Sequence, residues 1–484
     1  MLNACAVMGT AVIAVPLILE RVGSAGYGAW TLAGAVIVYA SILETAVGPS
    51  LQREVSISAG AGEAGQIHRT FWTLLVVYSV IGALSVAVLR LLGPHLADVL
   101  ELEPTLANEA RVTYEQLGTP LALVLLGSGL GNYLQGLGRF DPVAISTGLG
   151  GIVYLVAIPV LVGSGELSDL VWAATLQQGT ICLVRGACLH SVWLAGGRPR
   201  LLAGRDVKRL TGFSARLQPT AISELFNWQS DKVVVGVVAP AGTLANVGIG
   251  MQLSDAGRIV SASALNPIIA TFARLAGAGE VGPLRQAFQR MHRLWTVSIF
   301  GGAVILAATA YPLVIGWVGP AHDGAAIFAA VLIGGSACWL SAGIGVAYLR
   351  AIGQVGLEAR YASVILGLNV VLTVALALLV GPYGVVAGTL AAYAAGAAYF
   401  FRRLSRRIAV NPVRSTREAV RILVAAGGCA LFSFGVGFAS VAALPQGIAL
   451  VPVGAGILIA GVVYVRLALG LLPSRERLRV ALRS

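Results

Sequence analysis

Apolar runs of about 20 residues recur from one end of the chain to the other, each long enough to cross a bilayer as an α-helix. Short breaker-rich stretches separate them: GRFDP, GSGELSD, APAGT, GPAHDG, GPYG and LPQG. The alternation predicts fourteen spans, over residues 3–19, 28–48, 71–93, 116–136, 143–163, 169–195, 213–239, 247–272, 294–317, 325–350, 361–380, 384–401, 420–440 and 447–471. This is the pattern of an all-α polytopic membrane protein with fourteen transmembrane helices. No polar stretch is long enough to form a separate soluble domain.

Span 7 breaks the apolar rule. ELFNWQSDKVVVGVV, Glu224 to Val238, puts two acids, a lysine and two amides where a membrane helix belongs. At helical spacing Arg216, Thr220, Ser223, Glu224, Asn227, Ser230 and Asp231 fall within about 120° of one another. Ala221, Ile222, Leu225 and Val233 take the other side. Lipid cannot satisfy such a stripe, so it must face protein or a water-filled cavity. Span 8 adds Asp255 and Arg258, an i, i+3 pair, span 2 adds Glu44 with Arg53 just beyond it, and span 6 adds Arg185. The candidate path residues are therefore Arg216, Glu224, Asn227, Asp231, Asp255, Arg258, Glu44 and Arg53. Some of these charged residues have a structural alternative, Glu224 least of all. Asp255–Arg258 would also serve as a local pair that glues helices together, Lys232 as a snorkelling anchor, and Arg185 and Arg216 as ordinary helix-end anchors.

Composition agrees with the pattern. Of 484 residues 57% are hydrophobic and 11% charged, with mean hydropathy +0.84, whereas a soluble domain carries about a quarter charged residues. The net charge of +12 does not point to nucleic acid, because the basic residues sit in short loops between apolar runs. Their placement gives sidedness. The loop after span 6 carries Arg198, Arg200, Arg205, Lys208 and Arg209; the loop after span 8, Arg285, Arg290 and Arg293; the loop after span 12, Arg402, Arg403, Arg406, Arg407, Arg414 and Arg417; the tail, Arg475, Arg477, Arg479 and Arg483. Loops after spans 5, 7, 9, 11 and 13 have no Lys or Arg. By the positive-inside rule both termini are cytoplasmic, a parity that fourteen spans satisfy. The longest external loop, between spans 3 and 4, is short and acidic. Cys5, Cys182, Cys188, Cys338 and Cys429 lie in or beside apolar runs without CxxC spacing, so they read as buried free thiols. The scattered histidines give no metal site. Span 1 has no basic segment before it, so no cleavable signal peptide is expected, and the native start is expected a few residues upstream.

The chain also repeats itself. AGAGEAG (residues 59–65) follows span 2 and AGAGEVG (276–282) follows span 8; YLQGLG (133–138) ends span 4 and YLRAIG (348–353) ends span 10. The offsets are nearly equal, and each match takes the same place in a six-helix unit. Six is even, so both copies keep one sidedness and the repeat is parallel, a design that places a substrate path between halves. The expected organisation is a six-helix lobe over 1–200, a second over 208–410, and two further helices with a basic cytoplasmic tail over 411–484.

VPLILERVGSAGYGAW resembles the helix 1–2 junction of Wzx-type polysaccharide-lipid flippases, and SDKVVVGVVAPAGTLANVGIGMQL resembles their helix 7–8 junction, although Val247 stands where tyrosine is common. That group belongs to the multidrug/oligosaccharidyl-lipid/polysaccharide exporter (MOP) superfamily. The resemblance implies a MATE-like fold and transport, not catalysis: a polyprenyl-pyrophosphate-linked oligosaccharide moved to the outer leaflet of a bacterial plasma (inner) membrane for cell-surface polysaccharide such as O-antigen or lipopolysaccharide. It implies as partners membrane lipids and the polymerase and glycosyltransferases of that pathway, and no cofactor beyond coupling to H+ or Na+. Arginines suit a pyrophosphate, acids and amides suit sugar hydroxyls. The rivals are a MATE-like multidrug exporter, which would favour an acidic cavity, and, more distantly, a membrane glycosyltransferase or polymerase, which would need a larger external loop.

The sidedness is directly testable. Single cysteines at Ser168, Ala321 and Gln446 should react with an impermeant maleimide from outside, and those at Arg205, Gln286 and Thr416 only after permeabilisation. One reversed basic loop would discard the topology.

Overall fold

A computed structural model gives the fold and describes residues 2–98, 104–163, 165–190, 192, 200–263, 265–352, 354, 356–406, 408 and 416–470. Every regular element among them is helical. Spans 1 and 2 run together as α1 (Leu2–Ala40), broken at Gly23, where φ is 71° and ψ 179°. A 3₁₀ turn (Ser41–Leu43) leads to α2 (Glu44–Gly60). There follow α3 (Ala64–Ala97), α4 (Pro104–Gln116), α5 (Gly118–Gly136), α6 (Asp141–Leu161), α7 (Asp169–Cys188), α8 (Gly204–Val238) and α9 (Ala241–Ser263). The chain continues with α10 (Leu265–Gly277), α11 (Val281–Ala308), α12 (Ala310–Val318), α13 (Ala325–Ser341), α14 (Gly343–Ala351), α15 (Gly356–Val380), α16 (Pro382–Leu404), α17 (Thr416–Ala443) and α18 (Leu450–Gly470). Ten helical stretches are long and apolar enough to cross a membrane, with Ala6–Ala40 counted once. Spans 6, 7 and 8 are not among them, because their polar residues lower the hydropathy of the window.

The helices gather into two compact units, Met1–Ala245 and Asn246–Ser484. In the first, α3 packs on α4 and α5, α6 on α1 and α7, α5 on α2 and α7, and α8 on α1 and α2. In the second, α11 packs on α13, α15 on α16, α13 on α16, and α10 on α14. The same pairing scheme thus recurs: α3–α5 with α11–α13, α6–α7 with α15–α16, α5–α7 with α13–α16, and α2–α5 with α10–α14.

The AGAGE segments adopt one backbone motif. Ala61 N donates to Ile57 O at 3.0 Å, Glu63 N to Ser58 O at 2.9 Å and Ala64 N to Gly62 O at 3.0 Å; Ala278 N donates to Arg274 O at 3.0 Å, Glu280 N to Leu275 O at 3.1 Å and Val281 N to Gly279 O at 3.0 Å. Gly62 and Gly279 take φ of 71° and 72°. This is a left-handed helix cap, which glycine adopts without steric cost. The glutamates that follow then start the next helix with nearly the same torsions. The side chains match as well: Phe71 meets Tyr133 at 5.5 Å and Phe288 meets Tyr348 at 4.8 Å between ring centroids.

The last two helices, α17 and α18, pack on each other and on α11. Val297, Ile305, Ala426, Cys429, Ala430, Ala460, Tyr464 and Ala468 form their shared core. Tyr464 Oη donates to Val297 O at 2.8 Å, and its ring occupies the space beside Gly301. Where α12 ends, His322 is buried in a 3₁₀ turn with Nδ1 3.0 Å from Asn246 Oδ1. Burial pushes its pKa below the ordinary histidine value.

These contacts set two expectations for stability. Gly301→Ala drives a methyl into the Tyr464 ring and should cost about 1–3 kcal/mol, read as a lower melting temperature of the purified protein in detergent. Gly302→Ala meets open space and should not lower it. A drop in both would remove the docking argument. For His322 the folded state disfavours the proton, so its contribution is present above the unfolded-state value of about 6.5 and is lost as pH falls through it. Melting temperature should fall as pH drops below about 6.5, and less so in His322→Asn.

Candidate functional site in the polar helices

α8 carries the polar stripe of span 7 and packs against α1 and α2 within the first unit. The side chains of Arg216 and Glu224 lie outside the described residues. Asp231 is 2% exposed, and Ser223 and Gln229 are also buried, whereas Asn227 and Ser230 are half-buried. Phe226 meets Tyr39 of α1 edge-on at 5.3 Å, and the Asp231 carboxylate acts electrostatically on the same tyrosine. Leu225 and Val235 are buried too. The packed side of α8 therefore includes a carboxylate, which oil-like surroundings alone cannot hold.

Glu44 begins α2, between the 3₁₀ turn and Pro49. An irregular turn and a residue that cannot donate to the helix thus flank it. Its Oε1 accepts from Asn132 Nδ2 of α5 at 2.9 Å. Gly48, one turn on, leaves room for this bond, since a Cβ there would collide with both side chains. Arg53 is nine residues further along α2, about 14 Å by helical rise, and is exposed. The structure does not bring it to Glu44.

Arg185 of α7 is a cation whose charge acts on Glu44. Arg185 is buried. Its Nη1 donates to Gly127 O of α5 at 2.6 Å, its Nε to Ser146 Oγ at 2.9 Å and its Nη2 to Thr147 Oγ1 of α6 at 3.2 Å. By sequence this arginine reads first as a helix-end anchor; Gly127 and Gly131, one turn apart on α5, are the local sign of a large side chain lying across that helix. Tyr78 Oη, buried on α3 and coupled to the Glu44 charge, has no hydrogen-bond partner among the described residues.

In the second unit Arg258 Nη2 stands 3.3 Å from Asp255 Oδ1. Its guanidinium lies over the Trp339 ring of α13, 5.9 Å from the centroid, and Ser254 Oγ meets Ser336 Oγ at 2.9 Å. Arg258 is buried and Asp255 half-buried. The pair is thus both an intrahelical ion pair and a fixed cation on an aromatic face, the arrangement in which arginine differs most from lysine. A further polar group escaped sequence reading. Thr373 Oγ1 of α15 donates to Asn369 Oδ1 at 2.6 Å, and Thr389 Oγ1 of α16 to the same oxygen at 3.3 Å; all three are buried. Each is uncharged and alone in an apolar run, and the i, i+4 spacing of Asn369 and Thr373 is the one local sign. Among the described residues no three His, Cys, Asp or Glu gather as metal ligands, and Cys182, Cys188, Cys338 and Cys429 are free thiols.

No protein-family profile and no curated sequence matches the chain. Solved structures do. A structure described as lipid II flippase MurJ in an inward closed conformation matches with a TM-score of 0.70 at 12% identity, over 96% of this chain and 98% of that one. An inward-facing multidrug resistance MATE family transporter of the MOP superfamily matches with a TM-score of 0.66 at 13% identity, over 82% and 95%. A mutant form of the Vibrio cholerae MATE transporter VcmN matches with a TM-score of 0.59 at 14% identity, over 84% and 93%. The MATE-like fold expected from the sequence is the fold observed.

Proposed function

We propose that this chain, folded like the lipid II flippase and the MATE transporters, moves a polyprenyl-pyrophosphate-linked oligosaccharide from the cytoplasmic to the outer leaflet of a bacterial plasma membrane. It works without catalysis, with both termini cytoplasmic, alongside the polymerase and glycosyltransferases that build a surface polysaccharide. The observation that carries the reading is a fixed arginine in the polar helices: Arg258, buried and set over the Trp339 ring of α13. An anionic head group gains from fixed guanidinium charge, whereas a cationic amphiphile would be repelled by it.

Coverage supports the lipid-linked substrate. The flippase structure matches 96% of this chain and the MATE structure 82%, a margin of roughly the size of the α17–α18 pair with its flanks. A helix pair docked on α11 adds apolar surface to the second unit. In this reading Arg216, Arg258 and Arg53 supply positive potential for the pyrophosphate, and Glu224, Asn227 and Asp231 bind sugar hydroxyls. Glu224, Asp231 or Asp255 couples the movement to H+ or Na+. The multidrug exporter remains the second reading, on the MATE likeness.

The test is translocation of a fluorescent lipid-linked oligosaccharide in proteoliposomes, with surface polymer in cells as the parallel readout, at matched protein levels. Arg258→Ala should lose about tenfold or more, the scale of a charged hydrogen bond. Arg258→Lys should lose part, since the planar fork is gone but the charge stays. If Glu224→Ala, Asp231→Ala and Arg258→Ala all transport at the wild-type rate, the polar helices serve only to hold the fold. Export of cationic dyes by a protein that leaves lipid-linked sugar in place would establish the exporter instead.

A further inference from the structure

The interior of the first unit holds a polar centre away from the stripe on α8. Arg185 crosses from α7 to a backbone carbonyl of α5 and two hydroxyls of α6. Glu44 crosses from α2 to Asn132 of the same α5. The two crossings meet at consecutive residues, because the guanidinium passes beside Gly131, where a Cβ would stand 2.7 Å from Nη1, and Asn132 is next in the chain. The hydrogen bonds from Arg185 to α5 and α6 all go to uncharged groups. A guanidinium in a membrane interior needs a compensating charge, and removing one member of such a pair costs far more than removing both. Glu44, bonded to the residue next to Gly131, is the acid whose charge acts on the guanidinium.

We propose that Arg185 is a positioning residue of the transport path: its charge holds Glu44 in the first unit's interior, and Glu44, through Asn132, fixes α2, the helix on which α8 packs. This rests on the reading of α8 as part of that path. The line from Arg185 to the stripe is contiguous: α7 to α5 through the guanidinium, α5 to α2 through the amide–carboxylate bond, and α2 to α8 by packing. Arg185 itself touches no substrate in this scheme. Its effect is to fix where the α8 stripe stands.

The experiment is a double-mutant cycle on the full-length protein, with Arg185→Gln, Glu44→Gln and the two together, and Arg185→Lys beside them. Each is measured for lipid-linked oligosaccharide transport in proteoliposomes and for melting temperature in detergent. Arg185→Gln and Glu44→Gln should each lose transport by about tenfold or more, and the double variant should exceed the worse single variant by at least about threefold, since it leaves no lone charge. Arg185→Lys, which keeps the charge, should stay well above Arg185→Gln. Losses that multiply in the double variant, or a lysine no better than glutamine, would overturn the proposal and reduce Arg185 to a hydrogen-bonding brace. The melting temperatures separate this from the transport reading: if the wild type moves no lipid-linked sugar, the charge coupling must still show as a recovered melting temperature in the double variant. Its absence there counts against the proposal on its own.

Discussion

Hydrocarbon offers a polar group no partner, and every part of this structure answers to that constraint. Backbone groups are satisfied within helices, the one local structure that does so without a second chain segment. Side chains follow the same rule. Thr10, Thr31, Thr70, Thr113, Thr175 and Thr309 each return their hydroxyl to the carbonyl four residues earlier. Such residues therefore sit in membrane helices at little cost and carry little information about function.

Charged groups and amides cannot close on their own helix so readily, and they are where helices become tied to one another. Arg185 joins three helices, Asn132 and Glu44 two, Asn369 and Thr389 two. Asp255 and Arg258 pair along one helix, and the guanidinium then reaches a ring on another. Close approach at these places depends on residues without side chains: Gly131 beside the guanidinium and Gly48 beside the amide–carboxylate bond. Small residues at helix contacts and polar bonds across them are the two sources of cohesion left when water cannot drive association.

The duplicated architecture meets the same constraint twice with different chemistry. Backbone turns and aromatic contacts are shared between the copies, as the matching torsions of Gly62 and Gly279 show. The polar centres are not. The first unit has an arginine, a glutamate and an asparagine joined across helices in its interior; the second has the Asp255–Arg258 pair along α9 and, apart from it, an asparagine and two threonines between α15 and α16. A turn must have one geometry to join two helices, so it persists. A buried polar cluster needs only to be internally satisfied, which many residue sets achieve.

The sequence by itself determined the class, the helices and the MATE-like fold, because each of these depends on local quantities: run length against bilayer thickness, breaker residues between runs, and a glycine-bearing motif that caps a helix in the same way wherever it occurs. It also marked Glu44, Asp231, Asp255 and Arg258 as costly residues in an apolar setting. What each charge answers to was decided only in three dimensions. Glu44 is bonded by Asn132 and acted on by the charge of Arg185, both distant in sequence, while Arg53 on its own helix lies about 14 Å along it. The three uncharged residues around Asn369 left almost no trace in the sequence, since none is costly alone. A residue's penalty in the membrane can be read from its type, but its partner depends on which helices are adjacent, and only packing fixes that.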